Sequence, residues 1–242
     1  MRLIIVILFL IIFFIISIPL FLIEYLIGKF NRHAMVASSQ KIVVAALNTI
    51  LFISGVKKTV IGRNNIPKNE AVLYISNHRS YYDIIVSYVT VPTLTGFMAK
   101  KEINKIPFLR VWMNLLQCLF IDRDDIRQGM KVVLKGIEQI KDGYSVFISP
   151  EGTRSHGKDM LPFKAGSFKM AEKTGCPIIP VSISNTDAVF ENHLPWIRSA
   201  HVVIEYGKPV YPKDLDKEQL KHLSSYVQGI IKETLDKNGT LI

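Results

Sequence analysis

The chain has 242 residues, of which 49% are hydrophobic, ample for a core, and its 30 Lys and Arg against 20 Asp and Glu leave a formal net charge of +10. Its two cysteines, Cys118 and Cys176, stand in apolar company and read as packing residues in a reducing compartment. No CxxC or HExxH spacing occurs, so nothing in the sequence asks for a metal.

Residues 3–23, "LIIVILFLIIFFIISIPLFLI", carry no charge. As a helix they would be about 30 Å long, the thickness of a bilayer's hydrocarbon layer. No small-x-small cleavage site follows, and no polar stripe interrupts the run, so the sequence predicts a retained membrane helix rather than a signal or a soluble core helix. It either crosses the bilayer or lies partly in it, with Pro19 as a site for a kink. A second apolar stretch, 42–56, carries Asn48 and is short for a span, so residues 1–56 read as an anchor of one long and one short helix. Arg2 stands alone before the first helix, whereas Lys29, Arg32 and Lys41 follow it, which favours a main domain on the cytosolic side.

Residues 57–242 read as one domain without repeat, low-complexity tract or linker. Strands are expected at 59–61, 72–75, 95–99, 119–121, 145–148, 178–182 and 202–205. Helices are expected at 81–88, 108–116, 126–141, 165–173 and 218–235. Gly143, Gly175 and Gly239 each follow a helical run, where a left-handed residue is expected. The alternation predicts an α/β fold: a mixed, largely parallel sheet flanked by helices. Reactive groups in such sheets gather beyond the strand ends.

Three clusters fall there. "SNHRSYYD" (76–83) follows the apolar run "AVLYI" and places Asn77, His78, Arg79 and Asp83 at one strand end. Ser80 to Asp83 also fits a capping box, so Asp83 has a purely structural reading. The functional reading has the carboxylate bonded to one imidazole nitrogen, leaving the other as a base. "LFIDRDD" (119–125) ends a strand at Arg123, either a surface cation or a fork for phosphate oxygens. "ISPEGTRSHG" (148–157) supplies Glu151, Gly152, Thr153 and Arg154, either a polar loop or a ligand cradle. The helix expected after it has N-terminal amides suited to an anion. "KKEINKIPFLRVW" (100–112) mixes Lys100, Lys101, Lys105 and Arg110 with apolar residues, either a solvated edge or a contact for headgroups or an acidic carrier.

Taken together and in order, these blocks resemble the glycerolipid acyltransferase family. The H-x4-D from His78 to Asp83, "FIDR" ending at Arg123, "PEGTRS" (150–155) and "IIPVSI" (178–183) match its four blocks, and "FKAGSF" (163–168) matches the stretch after the third. The resemblance covers 58 to about 210 and is greatest to bacterial-type 1-acylglycerol-3-phosphate acyltransferases. Ser149 departs from it, standing where the family carries an aromatic. The resemblance implies transfer of a fatty acyl group from a thioester to a lipid hydroxyl, with His78 as general base and Asp83 as its orienting partner. It implies Arg123 and Arg154 on the acceptor's phosphate, Glu151 holding a guanidinium or the glycerol, and Gly152 and Thr153 shaping the pocket. Asn77, Arg79, Lys100 and Lys105 complete the expected substrate contacts. The donor would be acyl-CoA or an acyl-carrier protein, the acceptor lysophosphatidic acid, and no cofactor is expected. The net charge then belongs to anionic membrane lipid. Nucleic acid is not an expected partner, because no recognised module or interleaved aromatics accompany the basic residues. The same blocks also suit glycerol-3-phosphate or another lysolipid as acceptor, an inactive lipid-binding module, or a hydrolase using water.

Overall fold

The computed structural model describes residues 1–242 except His156 and Lys158. Two helices open the chain, α1 (Arg2–Phe30) and α2 (Arg32–Ser54). The Asn31 side chain accepts from Ala34 N at 2.9 Å and caps α2. Buried Glu24 of α1 accepts from Ser38 Oγ at 2.8 Å and Ser39 Oγ at 3.0 Å, so a carboxylate in apolar surroundings is satisfied by the facing helix. The expected short second helix is therefore 23 residues long. It extends back through "RHAMVASSQK", whose small polar residues hide it from an apolar-run reading but meet α1. Both helices are long and apolar enough to cross a membrane.

α1 is fastened to the rest of the chain along its length. The Arg2 guanidinium and Ser199 flank Gly55, so close that a β-carbon there would stand 3.0 and 3.1 Å from them. Trp112 Nε1 donates to Ser17 Oγ at 2.9 Å, and its ring stacks on Phe13. Arg32, just beyond α1, reaches Gln117 Oε1 at 2.5 Å. The outer face of α1 is bare: Ile4, Ile11, Ile15, Ile18 and Leu22 are each more than half exposed.

The strands are β1 (Lys57–Ile61), β2 (Leu73–Ser76), β3 (Thr95–Lys100), β4 (Leu119–Ile121), β5 (Ser145–Ile148), β6 (Ile178–Ser184) and β7 (His201–Tyr206). They form one sheet in the order β1-β7-β6-β2-β5-β3-β4. The β6–β7 pair is antiparallel, and the other strand pairings are parallel. The central strands β2, β5 and β6 are buried on both faces, which is why they read as unbroken apolar runs.

Successive residues of β2 divide the core. Tyr74 packs with α2 and with α3 (Tyr81–Thr90) on one face, around Leu51, Tyr82 and Val86. Leu73 and Ile75 face the other layer, with Val132 and Ile140 of α5 (Ile126–Lys141), Met170 of α6 (Lys169–Thr174), and Val227 and Ile231 of α8 (Leu223–Asn238). α4 (Pro107–Leu115) joins the α1–α2 side through Trp112. Two expected helices are divided. A 3-10 turn, Ala165–Phe168, precedes α6, and α7 (Lys217–Lys221) is separated from α8 by His222. Gly143 and Gly175 are left-handed as expected, but Gly239 is not: at φ −55° it continues into a further 3-10 turn.

Candidate active site

The shared direction of β2, β3, β4, β5 and β6 brings their C-terminal ends to one edge, and the three clusters meet there. After β2 the chain turns through Asn77, His78 and Arg79 before Ser80 starts α3. His78 Nδ1 lies 2.9 Å from Asp83 Oδ2. The same oxygen accepts from Arg79 N at 2.6 Å and from Ser80 N at 2.8 Å. Thr186, just beyond β6, donates from its hydroxyl to Asp83 Oδ1. The capping box and the imidazole contact thus coexist on one carboxylate. Five positions do not splay the pair, because the first two lie in the turn rather than the helix. An ionised carboxylate only accepts, so Nδ1 carries the proton and Nε2 is left as the basic nitrogen.

Glu151 sets the other side of the turn. Its Oε1 accepts from His78 N at 2.6 Å and its Oε2 from Leu161 N at 2.8 Å. The amides of residues 78–80 are therefore all occupied by carboxylates, and an oxyanion would have to find donors elsewhere. Burial raises the Glu151 carboxyl above its ordinary value, against the opposing pull of those two amides and of His78. A raised folded-state value means that the protonated group favours the native state. That contribution is complete below the ordinary glutamate value and is lost as pH rises through the folded-state value. Glu151→Gln is expected to remove this acid-range slope from a urea-unfolding series. At neutral pH it should cost about 1–3 kcal/mol, because the amide places an NH2 against one of two backbone donors. Unchanged stability would show that the loop does not depend on both acceptors.

A cavity of about 280 Å³ opens beside Glu151 over β3, β4 and β5, lined by Lys100, Glu102, Asp122, Arg123, Gly152, Thr153 and Lys164 among others. Partial burial lowers the Arg123 value, with Glu102 acting against the shift. Gly152 has φ +76°, a backbone conformation that favours glycine, and a β-carbon there would stand 2.9 Å from Lys164 Nζ, the movable end of a flexible side chain. Ser149 meets Ser76 hydroxyl to hydroxyl at 3.0 Å, where an aromatic would leave Ser76 without that partner.

The acyltransferase family model matches residues 57–184. A 1-acyl-sn-glycerol-3-phosphate acyltransferase of Borreliella burgdorferi is 31% identical over 192 residues, 79% of this chain and 77% of that one. The enzyme of the same name from Saccharomyces cerevisiae is 30% identical over 76% of this chain and 62% of its own length. The chain belongs to the acyltransferase family. The crystal structure of the 1-acyl-sn-glycerophosphate acyltransferase PlsC from Thermotoga maritima is similar over 98% of this acyltransferase and 97% of that chain, with a TM-score of 0.74 and 27% identity.

Not every expected contact of this acyltransferase lies where the sequence suggested. His78, Asp83 and Glu151 share one turn, and Lys100, Arg123, Glu151, Gly152 and Thr153 share one cavity. Asn77 is wholly buried and exchanges two hydrogen bonds with the backbone of Ile183, at 2.8 and 2.9 Å, so it ties β2 to β6. Arg79 lines a second cavity, on the β6 and α8 side, with Asp159, Asp187 and Lys232. Lys105 is exposed on a 3-10 turn and lines neither cavity. Glu151 holds two backbone amides rather than a guanidinium. Arg154 does not line the Arg123 cavity: it donates to Glu191 Oε1 at 3.2 Å and to Tyr81 Oη at 3.1 Å, with its guanidinium 3.9 Å over the Tyr81 ring. The N-terminal amides expected to receive an anion belong to a 3-10 turn, and Lys164 just before it faces the cavity instead.

Thr186 and Glu191 were not foreseen. Glu191 accepts from Ser80 Oγ at 2.6 Å and Tyr81 N at 2.8 Å as well as from Arg154, so it joins the start of α3 to the "PEGTRS" loop. A signal for Thr186 existed: it stands just past a parallel strand end, as His78 does. Glu191 had none, being 37 positions from Arg154 and 110 and 111 from Tyr81 and Ser80.

Proposed function

We propose that this acyltransferase moves a fatty acyl group from an acyl thioester to the free hydroxyl of 1-acylglycerol 3-phosphate, giving phosphatidic acid. The observation that carries the reading is the 2.9 Å contact between His78 Nδ1 and buried Asp83. His78 Nε2 takes the acceptor's hydroxyl proton as that oxygen attacks the thioester carbon. The C–S bond breaks, and the imidazolium returns the proton to the leaving thiolate. Asp83 holds the ring and balances its transient charge, a form of catalysis worth about 10²–10⁴-fold. Burial pushes the Cys118 thiol up to about 12 and raises that of Cys176, which supports direct attack over an acyl-cysteine intermediate. No G-x-S-x-G elbow offers a serine alternative.

In this reading the headgroup phosphate enters the cavity beside Lys100, Arg123 and Lys164. A helix fastened to its domain at both ends and in the middle cannot hold that domain away from a bilayer. The reading therefore lays the bare face of α1 in the membrane interface, with the domain against the cytosolic surface and its basic residues near anionic lipid. Acyl chains then stay out of water, which would otherwise cost about 0.8 kcal/mol per CH₂.

The test is thiol release from acyl-CoA with a panel of acceptors. Release should depend on lysophosphatidic acid and not on glycerol-3-phosphate or water; release without acceptor would mean hydrolysis. Arg123→Ala should raise the apparent KM for lysophosphatidic acid about tenfold or more, with a smaller change in kcat. An unchanged KM would remove Arg123 from the headgroup site.

A further inference from the structure

The outer face of α5 is built for contact. Ile126, Met130 and Leu134 recur at every fourth position and are 82%, 64% and 59% exposed. Arg127, Lys131 and Lys135 repeat at the same interval one position later, all exposed. At helical spacing the first set makes an apolar stripe about 12 Å long and the second a cationic stripe beside it. The opposite side of α5 is spent in the core, through Val132 and Ile140. Large apolar side chains grouped in water mark a surface that a partner covers.

Position narrows what that partner is. α5 lies on the sheet face opposite α2, in a separate core cluster, whereas the bare face of α1 belongs to the α2 side. A bilayer receiving α1 therefore lies across the sheet from α5, which speaks against lipid as the occupant. The cationic stripe calls for an acidic surface, and the length of the apolar stripe calls for a folded one such as a helix. α5 also begins at the wall of the cavity. Arg123 and Asp124 line it, Asp125 caps the helix, and Gln128 pins the junction by donating to Phe120 O at 2.9 Å and accepting from Asp122 N at 2.7 Å.

We propose that the outer face of α5 is the docking surface for an acidic, helical carrier protein that presents the acyl thioester to the Arg123 cavity. This rests on the acyl-transfer reading above and names the form in which the donor arrives. The apolar stripe supplies the buried centre of the contact, and the basic stripe speeds and orients the encounter.

The experiment compares acyl-carrier protein and acyl-CoA of one chain length as donors, with lysophosphatidic acid as acceptor. It uses the full chain and two variants, Lys131→Glu combined with Lys135→Glu, and Met130→Ser. All three positions are exposed, and melting curves check that the variants fold. Expected is a fall of about tenfold or more in kcat/KM for the carrier-linked donor, with acyl-CoA turnover within about twofold of wild type. Equal losses with both donors would overturn the proposal, as would a wild type that uses acyl-CoA but not the carrier-linked donor. Loss of sedimentation with phosphatidylglycerol vesicles, with both donor rates unchanged, would give the face to lipid and also overturn it. A wild type inert with both donors would instead refute the acyl-transfer reading, and the docking proposal with it.

Discussion

His78→Ala is expected to lower kcat by about 10²–10⁴-fold while leaving the melting temperature close to wild type. The two effects separate because the imidazole contributes little to the turn that carries it. Backbone groups hold that turn: His78 N donates to Glu151, Ser155 N donates to His78 O at 2.8 Å, and Arg79 N and Ser80 N donate to Asp83. All of these survive loss of the ring. What disappears is the Nδ1–Asp83 contact and the Nε2 base. The assay is thiol release with lysophosphatidic acid, read beside thermal unfolding of the same preparation. Retained turnover would end the general-base assignment. Turnover lost together with the fold would show that the ring is structural.

Asp83 is expected to behave differently, because it serves the turn, the helix start and the imidazole at once. Asp83→Ala strands the buried amide of Ser80 and the buried hydroxyl of Thr186, besides the Arg79 amide and the imidazole. At about 1–3 kcal/mol for each buried group left unpaired, a loss of about 3–5 kcal/mol in unfolding free energy is expected along with activity. Asp83→Asn parts the two roles. Its amide oxygen can take the place of Oδ2 beside His78, Arg79 and Ser80, and its NH2 can donate to Thr186, whose hydroxyl also accepts. Most of the stability should return, but the counter-charge for the imidazolium does not. Turnover should stay about 10²-fold or more below wild type. Urea unfolding and kcat, measured on both variants, test this. An Asp83→Asn protein with wild-type turnover would reduce Asp83 to a helix cap.

Local signals were readable wherever one stretch of chain decides its own conformation. The doubly buried strands appear as short apolar runs, and α5 appears by its spacing. The opening of α3 fits both a capping box and an imidazole–carboxylate pair, and the two contacts coexist because Oδ2 of Asp83 accepts from Ser80 N and lies against His78 Nδ1. Local signals mislead where a neighbour decides. The first half of α2 is not legible as apolar helix, because Ser38 and Ser39 are polar and find their partner only in Glu24 of α1. Asn77 looked reactive because it adjoins His78, but β6 lies against β2 and takes both ends of its amide. Arg154 is paired with Arg123 on the acceptor's phosphate only by the family resemblance. Glu191 and Tyr81 draw it to the start of α3 instead.

By itself the sequence determined the α/β class, the long apolar first helix, the family blocks and the closeness of His78 to Asp83, since each depends on local patterns and their order along the chain. Only the tertiary structure decided which cations share a cavity, what steadies Asp83 and Arg154 from beyond β6, and which face of α5 stays bare. Those contacts join residues up to 103 positions apart. They exist only once β6 and β5 have packed on either side of β2, an adjacency set by burying both sheet faces at once and by no local pattern.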